Sequence, residues 1–194
     1  MNDTCALFPL KSILLPDCVM DLQIFEARYL DMVSRSFKQG EDFLIVPLDT
    51  GPEVGNGDLR FSAIGCEALI VDWQQRDNGL LGIRVKGGRR ARIRAAEVAA
   101  DGLVRGVPDW LPEAPDAPLD DQHDDLMTLH GTLMEHPLAE GLGLPPVAGS
   151  QQRLGYQLAF LLPFDLDQKV ALLATDSAAL RLELINDWLE QMQA

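Results

Sequence analysis

Three groups of side chains in this chain have the types and spacing to do chemistry. Asp49-Thr50-Gly51, arriving after Ile45, Val46 and Leu48, has the form of a loop in which two carboxylates share one proton to drive hydrolysis. That reading makes the chain a hydrolase at Asp49. Pro47 in the preceding strand and the lack of a second copy weigh against it, since the partner carboxylate would have to come from another chain. His123 and His130, seven residues apart, share a helix face, with Asp120 and Asp124 nearby as hard ligands. Helical metal pairs use spacings of three or four residues, so a solvated acidic helix is the preferred reading. The third group is basic: Arg84, Lys86, Arg89, Arg90, Arg92 and Arg94. Strand alternation puts Arg90, Arg92 and Arg94 on one face and Ala91, Ile93 and Ala95 on the other. Such a face is either a solvated strand balancing acidic neighbours or an anion site, with RNA as the natural polyanion. No aromatic residues interleave to stack bases, and the solvated strand is preferred.

Other chemistries lack their signatures. No glycine-rich phosphate loop ends in Gly-Lys-Ser/Thr; in Lys86-Gly87-Gly88 the lysine stands on the wrong side, and the tripeptide reads as a hairpin turn. Gly-x-Ser-x-Gly and His-Glu-x-x-His are also missing. The expectation is a protein without catalysis, cofactor or metal. Cys5, Cys18 and Cys66 are odd in number and far apart, which suits free thiols in a reducing cytoplasm, with Cys66 a small buried hydrophobe. The longest apolar run, Leu158 to Phe164, is too short to span a bilayer, and the N-terminus does not read as a signal peptide. The net charge of −14 is uneven: residues 1–112 hold 13 Lys/Arg against 16 Asp/Glu, a balance of −3, and residues 113–194 hold 3 against 14, a balance of −11. The second half therefore repels polyanions and anionic membranes, and any anion site must lie in the first.

The elements that position these groups change character along the chain. Ala6 to Leu15 and Val19 to Phe25 read as strands separated by Pro16-Asp17. Apolar Tyr29, Leu30, Met32, Val33 and Phe37 predict a helix from Glu26 that stops at Gly40. Phe43 to Leu48 reads as a buried strand and Thr50 to Leu59 as a mobile loop. Phe61 to Trp73 and Leu80 to Lys86 flank Asp77-Asn78-Gly79 as a hairpin with both turn positions at positive φ. Arg89 to Val98 and Leu103 to Val107 follow, joined at Asp101-Gly102. So many short strands favour a small closed or nearly closed sheet over residues 1–112. The proline-rich residues 113–118 read as a linker. Residues 119–194 read as an acidic helical bundle: Leu119 to Glu135, Gln151 to Leu162, a helix capped by Asp165 and Gln168, and Ala178 to Met192. In the last, Leu184, Ile185, Trp188, Leu189 and Met192 form one side, and Arg181, Glu183, Asp187 and Glu190 a mixed opposite one. That helix serves equally as core or as a dimer contact, which leaves the oligomeric state open.

Four ordered blocks of the chain resemble the Lon N-terminal domain family, the substrate-binding module ahead of the ATPase and protease in Lon. The first runs from Phe8-Pro9-Leu10 through Leu15-Pro16 to Ile24-Phe25-Glu26-Ala27-Arg28-Tyr29 and Met32-Val33. The second is Gly65-Cys66-Glu67-Ala68 with Ile70-Val71. The third is Gly79-Leu80-Leu81-Gly82-Ile83 with Val85, Gly87 and Arg89 to Ile93. The fourth is Leu161-Leu162-Pro163 with Lys169, Leu172-Leu173 and Arg181-Leu182-Glu183. Asp17, where glycine is common, Asp21, where proline is common, and Ala91, where an aromatic is usual, depart from the pattern. The resemblance implies an α+β chain: a PUA-like β-pseudobarrel followed by a small α-helical bundle. It also implies a non-enzymatic, ATP-independent protein that binds polypeptide, unfolded or a partner linked to proteolysis. Peptide contact is expected from exposed apolar side chains bordering a groove between sheet and bundle. Within the first block, Glu26 is expected to cap the helix, Arg28 to pair with a carboxylate, and Phe25 and Tyr29 to pack.

Overall fold

The computed structural model describes residues 4–50, 60–139 and 141–193. The chain divides into two compact units, Met1–Leu111 and Pro112–Ala194. The first carries seven strands, β1 (Cys5–Leu10), β2 (Val19–Ile24), β3 (Phe43–Thr50), β4 (Arg60–Phe61), β5 (Ile64–Gln75), β6 (Leu81–Val98) and β7 (Val104–Trp110), and helix α1 (Ala27–Gln39). The second carries α2 (Asp124–Met134), α3 (Gln151–Leu161), α4 (Leu166–Ala174) and α5 (Ala178–Gln193). The fold is thus α+β, a sheet unit followed by a helical one.

The sheet closes on itself. Hydrogen-bonded neighbours run β1-β7-β6-β5-β3, and β3 pairs back in parallel with β1. Closure removes the edges that an open sheet would offer for aggregation. β2 adds to β6, and β4 to β3. Both faces of β1 and β3 are buried, which explains their unbroken apolar runs. Ala6, Phe8, Phe43 and Ile45 pack with Tyr29, Met32 and Val33 of α1 in one core. Leu7, Leu44 and Val46 pack with Ala91 and Val104 in a second. A fully buried side chain such as Phe43 or Ile45 stabilises the fold by roughly 1.5–3 kcal/mol.

Several elements differ from the sequence expectation, each for a local reason. Lys86-Gly87-Gly88 is no turn: β6 runs unbroken through it, and one long strand replaces the two expected. Gly87 is there because Leu15 crosses it, and a Cβ at position 87 would lie 2.0 Å from the Leu15 carbonyl oxygen. The Leu15 to Cys18 segment is sewn onto the strand by Asp17 N–H to Gly87 O (2.9 Å) and Gly87 N–H to Cys18 O (2.8 Å). Asp17 sits at φ 62°, the left-handed region that glycine occupies without strain, and this gives the departure at that position a physical meaning. The β5–β6 turn has only Gly79 at positive φ. Gly79 N–H donates to Arg76 O, and Arg76 N–H to Leu80 O, which makes a three-residue loop with a glycine bulge rather than a two-residue turn. β1 ends at Leu10, and Ile13 to Leu15 continue as buried irregular chain.

α1 stops at Gly40 (φ 67°), whose N–H donates to Ser36 O. In the second unit, the capping box of Asp165 and Gln168 opens α4. Residues 113–118 pack onto α3: the Asp116 carboxylate accepts from Gln152 N–H, Ala117 O from Gln151 N–H, and Glu113 from the Tyr156 hydroxyl (3.2 Å). Arg181 does not join a polar face. It is fully buried, donates to Leu172 O and the Tyr156 hydroxyl (3.0 Å each), and stacks 3.9 Å over the Tyr156 ring.

Candidate functional site

The residues of the first matching block build the α1 junction. Arg28, beside the helix start, donates to Gly102 O (2.8 Å) in the β6–β7 turn, pairs with Glu26 (2.8 Å) and lies 4.8 Å over the Tyr29 ring. Tyr29 is buried and stacks on Phe8 with ring centroids 4.1 Å apart. Burial pushes the Tyr29 hydroxyl above its ordinary value, and Arg28 offsets part of that. Glu26 occupies the N-cap position, yet its side chain makes no capping hydrogen bond because Arg28 holds the carboxylate. Phe25 departs from the expectation that it packs: it is 59% exposed.

Arg90 and Arg92 share one face of β6, opposite Cys66 and Ile64, but they differ in burial. Pairing with β5 shifts between Cys66 and Ala68, where β6 carries one extra residue at Gly88-Arg89. The bulge sets Arg90 opposite Cys66, on the face of Ile83 and Val85, and Arg90 is fully buried. Arg92 lies further along and is exposed. A second shift, between Ile93 and Ala96 against β7, falls at Arg94, also exposed. Arg89 is engaged as well. Its Nη2 and Nε bind the buried Glu67 carboxylate at 2.6 and 3.0 Å, and its guanidinium covers Trp110 at 3.8 Å. Burial pushes the Glu67 carboxyl up, but the hydrogen bonds from the Arg89 side chain and backbone outweigh it and hold the group below its ordinary value. Gly88 makes the room, since a Cβ there would meet Glu67 Oε2 at 2.5 Å.

His123 and His130 are buried rather than solvated and have separate partners. His123 Nδ1 meets Asp120 (2.7 Å), and His130 Nε2 meets Gln157 Oε1 (2.7 Å). Among the described residues no cluster of three or more His, Cys, Asp and Glu could hold a metal ion. The side chain of Asp49 and the whole of residues 51–59 lie outside the described residues, and with them the hydrolase reading and the expected loop.

An apolar surface lies within the first unit, between α1 and the far end of the β5–β6 hairpin. An apolar groove of about 450 Å³ is lined there by Leu30, Val33, Phe37, Trp73 and Leu81. Trp73 is 61% exposed and Phe37 50%, their rings meeting edge to face with centroids 6.4 Å apart. A bulge at Val71 makes the groove: Ile70 opposes Val85 but Asp72 opposes Arg84, so Trp73 falls opposite buried Ile83, on the side that α1 covers. On the reverse face Arg84 binds Asp21 bidentately (2.8 Å each), which holds the Asp21 carboxyl below its ordinary value. Helical spacing in the sequence groups Leu30 and Phe37 with Tyr29, Met32 and Val33, and the strand reading of Phe61 to Trp73 gives Trp73 no separate role. The legible signal was a stripe on α1 wider than one core face requires, with Leu30, Val33 and Phe37 spaced i, i+3 and i+7.

Solved structures share this fold. A crystal structure of a Lon N-terminal domain protein from Xanthomonas campestris superposes with a TM-score of 0.78 at 30% identity, over 95% of this chain and 98% of that one. The N-terminal domain of the Mycobacterium avium complex Lon protease has the same fold, with a TM-score of 0.66 at 20% identity, over 95% of this chain and 97% of that one. No curated protein matches in sequence. Among the described residues no helix is long and apolar enough to cross a membrane. The family model described as the ATP-dependent protease La (LON) substrate-binding domain matches residues 4–191, and the chain belongs to that family.

Proposed function

We propose that this chain recognises polypeptides through the groove between α1 and the β5–β6 hairpin, as a non-enzymatic, ATP-independent binding module of the cytoplasm. The observation that carries the reading is the exposed pair Phe37 and Trp73, bordered by Leu30 and Leu81. Large aromatic side chains left in water beside a groove are what an extended or helical apolar segment would cover. Membership of a substrate-binding family supports a polypeptide as the occupant. The three buried free cysteines agree with a reducing compartment. The RNA alternative loses Arg90, which is buried.

Fluorescence anisotropy with a reduced, carboxymethylated protein as an unfolded probe tests the reading. Saturable binding is expected for the unfolded form and none for the same protein folded. Trp73→Ala should weaken binding by about 10- to 100-fold, as for an interface anchor, and should leave stability within roughly 0.5 kcal/mol, as for an exposed site. Absence of saturable binding, or binding indifferent to Trp73 and Phe37, overturns it.

A further inference from the structure

A second cleft, of about 540 Å³, opens elsewhere on the first unit, with two acids and two arginines in its lining. Thr4, Glu41, Asp42, Arg94, Arg105 and Trp110 contribute to its walls. Both acids already face an arginine that is not part of the lining: Glu41 meets Arg35 and Asp42 meets Arg89, at 3.5 Å each. Arg94 and Arg105 make no ion pair with any described residue. Two guanidiniums without an ion pair thus share a concave site with two acids whose own arginines are divided, Arg35 also facing Asp101 and Arg89 binding Glu67 more closely than Asp42.

The fold positions this pair deliberately. Arg94 stands where β6 carries an extra residue against β7, between the Ile93–Pro108 and Ala96–Gly106 pairs. Bulges of this kind re-aim a side chain beside a site. Arg105 is held in β7 between Ala6 of β1 and Glu97 of β6. Neighbouring Gly106 lets the strands close, because a Cβ there would meet Ile93 and Leu7 at 2.9 Å. The cleft is not built for thiol chemistry: burial pushes the Cys5 thiol in its wall up to about 11, so it stays protonated near neutrality.

We propose that the Arg94–Arg105 cleft is a carboxylate-binding subsite that selects polypeptide segments bearing acidic side chains or a free chain terminus. The inference rests on the polypeptide-binding reading and deepens it by naming a substrate class. Guanidinium forks match carboxylates bidentately. Nucleic acid fits the cleft less well, because Trp110, the aromatic residue lining it, already has a ring face covered by Arg89. The net charge of −14 does not prevent acidic clients, since charges beyond about 8 Å are largely screened at physiological salt.

The test uses the full chain and a short fluorescent peptide with an apolar centre and glutamates at its C-terminal end. Companion probes are the same peptide with glutamine for glutamate, each sequence as free acid and as amide, and a single-stranded oligonucleotide of equal charge. The acidic peptide is expected to bind about tenfold tighter than the fully neutral one, as charge-assisted hydrogen bonds allow, and to lose that advantage in Arg94→Gln/Arg105→Gln. Arg94→Glu, at an exposed position, serves as a second variant should the double variant fold poorly. The free-acid and amide forms distinguish a chain terminus from acidic side chains as the source of the carboxylate. If the neutral peptide binds as tightly as the acidic one, with Trp73-dependent affinity, the subsite is overturned and the groove reading stands. If neither peptide binds, both fall. Tighter, arginine-dependent binding of the oligonucleotide overturns the polypeptide assignment.

Discussion

At the residue scale the chain spends its charged groups on architecture. Glu67 is the clearest instance: a buried carboxylate receiving the Arg89 backbone N–H (3.0 Å) and two guanidinium bonds. Its folded pKa lies below the reference value of 4.5. A depressed carboxyl contributes stability that is fully present above its unfolded pKa and is lost as pH falls through the lower folded one. Denaturant melts of the native chain and of Glu67→Gln should therefore differ by about 1–3 kcal/mol at pH 7 and converge as the pH is taken below 4.5. A constant difference across that range would show that the Glu67–Arg89 pair does not set the acid limb. Asp42 shifts the opposite way, pushed up by burial and by the nearby Glu67 charge, with Arg89 offsetting only part. Of the residues singled out from sequence, Arg28 and Tyr29 prove to be joints of the fold, and Arg90 is buried within it.

At the element scale β6 organises the first unit, since it pairs with β2, β5 and β7 along its length. Its register faults matter more than its regular part. The extra residue at Gly88-Arg89 buries Arg90, the one near Arg94 accompanies the charged cleft, and the one at Val71 in β5 turns Trp73 toward α1. Alternation counted along a sequence cannot detect them, because a bulge is defined by the partner strand. The glycine at position 87 is the point where this strand has no tolerance. With the Leu15 carbonyl in the place of its missing Cβ, Gly87→Ala must displace backbone and should cost about 3 kcal/mol or more in a urea titration. A loss under about 1 kcal/mol, the level of a neutral strand substitution, would mean that the 15–18 segment can lift away from β6.

At the scale of the whole molecule, every strand pairing in the ring lies between residues 5 and 110, and both apolar cores of that unit draw on those same residues. We propose on this ground that residues 1–112 fold without the helical part. The fragment should unfold cooperatively and retain the anisotropy response to an unfolded polypeptide. A fragment lacking cooperative melting would make the boundary near Leu111 one of compactness alone. The second unit has its own internal frame in the Arg181–Tyr156–Glu113 chain of contacts, which fastens the proline-rich 113–118 segment onto α3.

The sequence by itself determined the succession of strands and helices in outline, the change from strands to helices near residue 112, and the family. Those depend on local signals: apolar periodicity, capping residues such as Asp165 and Gly40, and motif blocks spread over most of the chain. Tertiary structure alone decided which of the chemically suggestive residues face solvent. Arg90 and Arg181 read as surface charges and are fully buried, while Phe37, Phe25 and Trp73 are among the large apolar side chains left in water. Exposure is a property of the partner across the sheet or beneath the helix. A bulge of one residue changes the face that the following residues take, and what covers that face differs along the strand, as buried Arg90 and exposed Arg92 show, so neither composition nor spacing carries that information.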